Sequence, residues 1–508
     1  MKKILLSLLL LVGMTSYAQS VVDSGKCGDN VTWKLYDNGS LVISGSGKMT
    51  DYSHFYYPVS TGYENSGSAS EGYSDSESYS DTPWNEIKDN ISTVVIESGV
   101  TSIGDNSFYN CTSLTSIAIP RGITTIGDWA FYGCSSLSSI PIPSSVVKIG
   151  ELAFWGCSSL VNIIIPESVV SIGFRAFGGC SSLPVVDNIR YADTYAVEAI
   201  DKTLSTYALK DGTRFVGSEA FESSSLSSIT IPESVISIGI GAFNKCYSLP
   251  VVDNIRYADT YVVEVTDRTL SSYSLKEGTR IIGSWAFADC QSLASISLPE
   301  SVVSIGYEAF YGCFSLSNIT IPASVKNIER CAFWGCGKLT TFSIPEGVIS
   351  IEERVFCSCS SLTSVILPKS LTDIGDGAFL GCSSLTSITI PASVTSIGDL
   401  SFNGCSSLRE IHCHNITPPT ALEETFRDTD INSCSLYVPI GSGDLYSNAE
   451  VWKDFGNIVE ENVSRVSSVE EEQGNAIYYN LLGNRVTDLQ SGIYIQRTGN
   501  KSRKVFIR

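Results

Sequence analysis

Apolar residues recur along most of this chain with a period of 23 residues. The unit is I-G-x-x-A-F-x-x-C-x-S-L-x-x-I-x-I-P-x-S-V-x-x, and residues 374–408 hold about one and a half copies. We call its phenylalanine the marker; it stands at Phe108, Phe131, Phe154, Phe177, Phe221, Phe243, Phe287, Phe310, Phe333, Phe356, Phe379 and Phe402. Two steps are 44 residues long, so two coils lack the marker. One unit cannot bury its apolar residues alone, so the pattern predicts a solenoid of stacked coils.

Each coil divides into two short strands and a turn. The run L-x-x-I-x-I alternates inward and outward positions and ends at proline, which removes a ladder donor. The V-x-x-I run forms a second short edge, and the A-F pair is expected to begin a brief helical or 3₁₀ turn. The prediction is a right-handed solenoid of short parallel strands with about 14 coils and β-rich caps.

The first residues have the features of a secretory signal. Lys2 and Lys3 precede an apolar run over residues 4–12, and cleavage is expected between Ala18 and Gln19. The apolar run is shorter than the ~20 residues that a transmembrane helix needs, so we predict an exported chain with no transmembrane span. The formal net charge of −20 and the absence of a basic stripe exclude a nucleic-acid binder.

The cysteines follow the repeat. Eleven of the 16 stand three residues after a marker: Cys111, Cys134, Cys157, Cys180, Cys246, Cys290, Cys313, Cys336, Cys359, Cys382 and Cys405. A position repeated once per coil is an interior column, where free cysteine behaves as a small hydrophobe. We therefore expect buried thiols rather than the disulfides that export would otherwise suggest.

Changes in composition divide the chain into successive segments. They are a signal peptide (1–18), an N-terminal β cap (19–93) with a Ser/Gly/Tyr/acid loop (55–82), the solenoid (94–416), a C-terminal cap (417–461), a linker (462–475) and a β segment with a basic end (476–508). The loop has too few aliphatic residues to bury and is expected to be disordered.

Thirteen residues, LPVVDNIRYADTY, occur twice, at 183–195 and 249–261. Their alternation predicts two hairpin inserts, near 184–208 and 250–274, each replacing an A-F-x-x-C turn and followed by a normal second edge. Two equivalent outgrowths suit a partner that is gripped twice, with Arg190, Tyr191, Arg256 and Tyr257 as candidate contacts. A surface decoration without a function is the alternative, because loops tolerate insertion.

Two other surfaces are candidate binding sites. The position after the marker carries an aromatic row: Tyr109, Tyr132, Trp155, Tyr311 and Trp334. Amphipathic rings are enriched at interfaces, although these rings could instead pack on one another. The outward strand positions are rich in Ser and Thr, which suits either a binding face or a plain solvated sheet.

Signs of catalysis or metal binding are weak. In His412-Cys413-His414 the cysteine falls on an interior position, and a zinc site usually needs four convergent ligands. The sequence has no G-x-S-x-G, phosphate-loop or H-E-x-x-H motif. We therefore predict no catalytic residue, no metal and no cofactor.

The repeated motif, together with the flanks CGDNVTWKLYDNGSLVISGSG and SLYVPIGSGDLY, resembles the BspA-like group of bacterial leucine-rich repeat surface proteins. The tail NLLGNRVTDLQSGIYI is similar to C-terminal sorting signals of type IX secretion in Bacteroidetes. The resemblance implies a secreted or surface-attached binding protein, plausibly an adhesin for a protein or glycan on a host or bacterial surface. A structural spacer of the cell envelope is the alternative, and an enzyme is not expected.

Overall fold

The computed structural model describes residues 19–55 and 79–462 and four strands beyond them, Ile477–Tyr479, Arg485–Val486, Gly492–Thr498 and Lys501–Ile507. The signal-peptide prediction, most of the loop at 55–82 and most of the linker lie outside the described residues. The chain is a β-solenoid of about 16 turns, close to the expected 14, with mostly parallel strands and few helices. It has two compact units, Met1–Phe314 with Pro322–Phe333, and Ser315–Ile321 with Trp334–Arg508.

The I-x-I-P segments form what we call the first ladder. In the first unit its strands are Thr93–Ile96, Ser116–Ala118, Ser139–Pro141, Asn162–Ile164, Thr206–Ala208, Ser228–Thr230 and Ser295–Ser297. In the second unit they are Asn318–Thr320, Thr341–Ser343, Ser364–Ile366, Ser387–Ile390, Glu410–Cys413, Ser435–Pro439 and Asn457–Glu461. The three-residue strands bury their central residue and leave both neighbours more exposed, as the alternation of a half-buried strand requires.

The x-I-G segments form the second ladder. In the first unit its strands are Gly47–Lys48, Val100–Ile103, Thr125–Ile126, Lys148–Ile149, Ser171–Ile172, Tyr195–Ala199, Phe215–Val216, Ser237–Ile238, Tyr261–Val265, Ile281–Ile282, Ser304–Ile305 and Asn327–Ile328. In the second unit they are Ser350–Ile351, Asp373–Ile374 and Ser396–Ile397. Pairing is parallel and in register, as between Ile126 and Ile149.

Each unit contains one cap. Val21–Gly28, Val31–Tyr36 and Ser40–Gly45 are antiparallel, and the last of these pairs in parallel with Thr93–Ile96. Next to a 3₁₀ helix (Asn85–Asn90), Trp84 stacks on Phe108 at 5.9 Å. The C-terminal cap contains an α-helix (Gly443–Asn448), a 3₁₀ helix (Trp452–Asp454) and Phe426, which stacks on Phe402 at 5.4 Å.

Six of the described strands lie in two sheets that contain no strand of either ladder. His54–Phe55 and Tyr79–Ser80 pair with each other, and the four strands of residues 477–507 form a separate antiparallel sheet.

The marker phenylalanines are stacked within each unit. Consecutive ring centroids lie 5.2–5.3 Å apart from Phe108 to Phe177 and 5.5 Å apart from Phe356 to Phe402. Each marker is at most 1 % exposed. The interior column expected from the sequence is therefore present in both units.

The cysteine column lies beside the phenylalanines. All 16 cysteines are buried and none forms a disulfide, which confirms the prediction of buried thiols for the eleven of the column. Column thiols donate hydrogen bonds at 3.0–3.4 Å to the carbonyl of the preceding marker: Cys134, Cys157, Cys180, Cys246, Cys313, Cys382 and Cys405. At the C-terminal end the Thr429 hydroxyl makes the same bond to Phe402 at 2.6 Å. The column therefore needs a small group that is a hydrogen-bond donor as well as apolar.

The marker turn forms a third ladder. The N–H groups of Trp129, Phe131 and Gly133 donate at 2.7–2.8 Å to carbonyls of the next coil. The residues two before and two after the marker have left-handed backbones in all twelve marker turns, with φ from 47° to 77°. This alternation lets every second N–H point along the stack, so the turn is not the helical or 3₁₀ segment that we expected.

Left-handed backbone favours glycine, yet the position two before the marker is mostly occupied by larger residues such as Trp129, Arg175 and Arg354. The backbone is therefore strained at this position, and the left-handed conformation allows the hydrogen bonds between successive coils. The position two after the marker is glycine in seven coils: Gly133, Gly156, Gly179, Gly312, Gly335, Gly381 and Gly404.

This strain can be tested at Arg354, whose φ is 55° and whose N–H donates to Asp376. We expect Arg354→Gly to be more stable than Arg354→Ala by about 1 kcal/mol, because only glycine adopts this backbone without a steric cost. Denaturant unfolding measures the difference. Ser364, which lies in a strand, is the control: there Ser364→Ala should be more stable than Ser364→Gly. If the alanine variant is the more stable one at both sites, the backbone at Arg354 is not strained.

The thiol hydrogen bond can be tested at Cys157, which donates to the carbonyl of Phe131. Cys157→Ala removes one of the two hydrogen bonds to the Phe131 carbonyl, which keeps the Cys134 N–H at 3.2 Å, and is expected to lower the free energy of unfolding by about 1 kcal/mol. Cys157→Ser keeps a donor and should be less destabilising. Chemical denaturation under reducing conditions measures both variants, and equal losses would show that the thiol acts only by filling space.

A column of carboxylates follows the I-G segment. The Asp105 carboxylate accepts the N–H of Asp128 at 2.7 Å, and the Asp128 carboxylate accepts the N–H of Glu151 at the same distance. Burial and the negative charges of Asp128 and Asp51 raise the pKa of Asp105 to about 6. Each of these carboxylates accepts a backbone N–H of the next coil, so their role is structural.

Because its folded pKa lies above its value of 3.8 in the unfolded chain, Asp105 stabilises the fold fully at low pH and progressively less as pH rises through about 6. We expect Asp105→Asn to raise stability at pH 7.5 by on the order of 1 kcal/mol and to have little effect at pH 4.5. Thermal unfolding of both proteins across this range is the measurement; a parallel pH dependence would contradict the raised pKa.

Candidate binding surfaces

The two repeated sequences form antiparallel hairpins. Hairpin 1 comprises Val185–Val186, Ile189–Ala192 and Tyr195–Ala199; hairpin 2 comprises Val251–Val252, Ile255–Ala258 and Tyr261–Val265. In each, the first segment pairs with the second and the second with the third, in the same register.

The position of the hairpins in the coil differs from our prediction. The last strand of hairpin 1 itself belongs to the second ladder, where Tyr195 and Ala196 pair in parallel with Phe215 and Val216. Hairpin 1 therefore replaces the first-ladder strand of its coil, not the A-F-x-x-C turn. The turn persists without its marker: Ala199 donates to Ala220 just as Phe221 donates to Ala242.

The missing marker rings are replaced by tyrosines from elsewhere in the coil. Tyr195 packs edge-on against Phe177 at 5.2 Å, and Tyr207 packs edge-on against Phe221 at 5.1 Å. In the coil of hairpin 2, Tyr273 packs against Phe287 at 5.3 Å. These tyrosines keep the core filled, a role that the sequence pattern did not reveal because they lie outside the marker register.

Tyr191 and Tyr257 are not surface residues, contrary to our prediction. Each is 1 % exposed. Their hydroxyls accept the N–H of Lys210 and Lys276 at 3.1 Å. The rings are buried because they fill the base of the hairpin, so they offer almost no surface to a partner.

Arg190 and Arg256 likewise face the protein. Arg190 pairs with Glu198 at 2.9 Å and donates to the carbonyls of Ser181 and Leu183. Arg256 makes the equivalent pair with Glu264 at 2.9 Å and bonds to two carbonyls. Both guanidinium groups hold the hairpin on the coil, and the proposed role in binding is withdrawn for them.

The exposed side chains of the two hairpins include a pair of valines in each. Val185 and Val186 are 49 % and 40 % exposed, and Val251 and Val252 are 47 % and 45 % exposed. They form the first segment of each hairpin, which ends its sheet. These valines were not among the predicted contacts, although the V-V pair after L-P is repeated in both copies.

A groove lies at the base of hairpin 1. It is lined by Val161, Asn162, Ile163, Ile164, Leu183, Pro184, Tyr191, Asp193 and Lys210. Val161 and Ile164 are 56 % and 68 % exposed. The groove therefore combines exposed aliphatic side chains with one cation and one carboxylate.

The aromatic row has a mixed outcome. Tyr109 is buried, because its ring stacks on Tyr132 at 4.9 Å and lies beside Trp129, so it is removed from the candidate surface. Tyr132, Trp155, Tyr311 and Trp334 are half-buried. The packing of the rings on one another, the alternative that we left open, accounts for Tyr109 and Tyr132.

Arginines cover part of this row. The Arg175 guanidinium lies 5.6 Å from the Trp155 ring centroid, and that of Arg354 lies 5.9 Å from the Trp334 centroid. A residue larger than glycine at Gly178 would collide with the Trp155 ring, which explains the break in the row there. Both arginines stand two residues before a marker phenylalanine, a position whose residue type varies along the sequence and therefore predicted no contact.

His412 is held by protein groups. Its Nδ1 lies 2.9 Å from the Glu461 carboxylate, and its ring stacks on Tyr437 at 4.5 Å. Cys413 is buried and bonds to the Tyr446 hydroxyl at 3.1 Å, and burial lowers the pKa of His414. No metal-binding cluster of His, Cys, Asp or Glu is found among the described residues.

The fold defines a leucine-rich repeat solenoid whose helices, in the described part of the chain, are all too short to cross a bilayer. Its repeats match the BspA-type leucine-rich repeat region in six copies, over residues that together run from 85 to 443. The chain belongs to this family, as the resemblance of its motif implied. No curated protein matches it.

Solved structures of bacterial leucine-rich repeat proteins are similar to this chain. One from Eubacterium ventriosum is 23 % identical, covering 79 % of this chain and 97 % of that one, with a TM-score of 0.28. One from Bacteroides ovatus is 24 % identical, covering 86 % and 99 %, with a TM-score of 0.30. The pneumococcal vaccine antigen PcpA is 20 % identical, covering 87 % and 100 %, with a TM-score of 0.30.

Proposed function

We propose that this chain is exported to the cell surface and acts there as an adhesin that binds a protein on a host or bacterial surface. The N-terminal signal and the sorting-like tail support export, and membership of the BspA-type repeat family supports a binding role. The observation that carries the proposal is the pair of equivalent hairpins, each presenting two exposed valines. Exposed aliphatic groups repeated at two equivalent places are characteristic of a docking surface rather than of a plain scaffold.

The proposal assigns the hairpins the main role and the hydroxyl-rich strand face a minor one. Residues such as Thr115 and Ser138 are exposed but uncharged and small, so they provide little binding energy of their own. A spacer of the cell envelope would not need the valines, which distinguishes the two functions. An enzyme is the least supported, since the acids Asp105 and Asp128, which neighbour each other in the stack, are bonded to backbone N–H groups.

The half-buried Tyr132 and Trp155 support glycan binding as a second candidate, because amphipathic rings of this kind can stack on sugars. The chain from Gln19 to Arg508 on a glycan array tests it. Binding that is lost in Trp155→Ala and kept in the hairpin variant below would favour this second function.

The adhesin proposal predicts the effect of removing the hairpin valines. In a screen of the chain from Gln19 to Arg508 against immobilised matrix proteins and bacterial cells, we expect saturable binding. Changing Val185, Val186, Val251 and Val252 together to threonine should weaken it at least about tenfold, because four exposed aliphatic groups leave the interface.

The matched control is Ile366→Thr, which changes an aliphatic residue that is 65 % exposed and lies outside both hairpins. This variant should bind like the unchanged chain. Binding to none of the surfaces would overturn the proposed function, and equal loss in the control would show that the hairpins have no special role.

A further inference from the structure

The two hairpins are equivalent in backbone but not in the side chains that face them. Beside hairpin 1 stand Val161 and Ile164, whereas Ser227 and Thr230 occupy the corresponding positions, 66 residues later, beside hairpin 2. The bonds that fix the hairpins are the same, since Asp193 accepts the N–H of Ile165 and Asp259 that of Ile231, both at 2.9 Å. Of the two hairpins, only hairpin 1 therefore has exposed aliphatic residues on the coil beside it.

We propose that the groove of hairpin 1 binds an extended peptide segment of the partner, with aliphatic side chains at alternate positions followed by an acidic residue that reaches Lys210. This inference rests on the proposed function and deepens it, because it names the recognised chemistry and assigns it to one hairpin of the two.

The shape of the site argues for an extended segment. Asn162–Ile164 pairs with Ser139–Pro141 on one side, and Thr206–Ala208 pairs with Ser228–Thr230 in the next stretch of the first ladder. The coil between them leaves the ladder at Pro184 and contributes no strand to it. Neither Asn162–Ile164 nor Thr206–Ala208 has a strand hydrogen-bonded on the side of this coil. An unpaired strand edge accepts an extended chain rather than a helix.

Two hydrogen bonds hold hairpin 1 at this groove. The Asp193 carboxylate accepts the N–H of Ile165 just past the strand Asn162–Ile164, and the Tyr191 hydroxyl accepts the N–H of Lys210. Val161 and Ile164, which line the groove, remain exposed, as do Val185 and Val186 of the hairpin. Extended peptides that bind beside a strand place alternate side chains in such apolar positions.

The positive charge of Lys210 is the reason for expecting an acidic residue in the bound peptide. Of the groove-lining residues, Lys210 is positive and Asp193 negative. The Asp193 carboxylate is bonded to a backbone N–H, whereas the Lys210 Nζ lies 4.3 Å from the Tyr191 ring centroid at the groove wall. A carboxylate of the peptide is therefore attracted to the Lys210 end of the groove.

The test uses the chain from Gln19 to Arg508, with isotope-labelled valine and isoleucine methyl groups, and the probe acetyl-Thr-Val-Thr-Val-Thr-Glu-amide. We expect saturable shifts of the Val161, Ile164, Val185 and Val186 methyl signals, with a Kd on the order of 1 mM or below. The variant Val161→Ser with Ile164→Thr should weaken binding at least about tenfold.

This double variant copies the residues found beside hairpin 2, so it is expected to fold, and its melting temperature checks this. Lys210→Gln should remove the preference for the probe over its Glu→Gln counterpart while leaving binding of that counterpart unchanged. No methyl shift at about 5 mM probe, or equal binding by the double variant, would overturn the inference.

The inference and the proposed function fail separately. If the double variant still binds the surfaces found in the adhesion screen as the unchanged chain does, the groove is not the site, although the adhesin function stands. If the probe binds the groove while no surface is bound in the screen, the peptide site stands and the adhesin function does not.

Discussion

The fold depends on backbone hydrogen bonds that run from each coil to the next at three places around the coil. The first and second ladders are ordinary parallel pairings of two or three residues. The third is the marker turn, in which alternate N–H groups reach the following coil only because two residues of each turn adopt a left-handed backbone. A segment this short is not stable as a strand or helix by itself, so each coil is stabilised mainly by its neighbours.

That constraint explains which parts of the fold could be predicted. The phenylalanine and cysteine columns repeat because stacking places the same residue at the same point of every coil, and burial there restricts its type. The left-handed position two before the marker carried no such signal. Trp129, Leu152 and Arg175 all occupy it, because the turn depends on their backbone groups and not on one side-chain environment: Leu152 is buried, whereas Trp129 and Arg175 are half-buried.

The candidate site was less predictable for a related reason. Alternation correctly indicated antiparallel strands in the duplicated segments, but it could not show which face would be covered. Tyr191 and Arg190 appear as candidates in a sequence because rings and guanidinium groups dominate interfaces. Here they replace core and strand contacts that the hairpin removes from its coil, so they are used internally. Valine is common in strands, so its residue type gives no sign of a binding role. Only the structure shows that these four valines are exposed.

A hairpin in such a stack interrupts the first ladder. At hairpin 1 this interruption leaves a groove. Elsewhere the outward positions of the first ladder are mostly small hydroxyl side chains, with the exposed Ile366 as an exception. Beside hairpin 1 the same ladder stops, and aliphatic residues border the gap. Because the second copy has the same backbone with Ser227 and Thr230 at that border, the groove backbone alone does not require apolar residues there. The valine and isoleucine beside hairpin 1 are thus a property of that copy, and a partner that contacts both hairpins meets two chemically different surfaces.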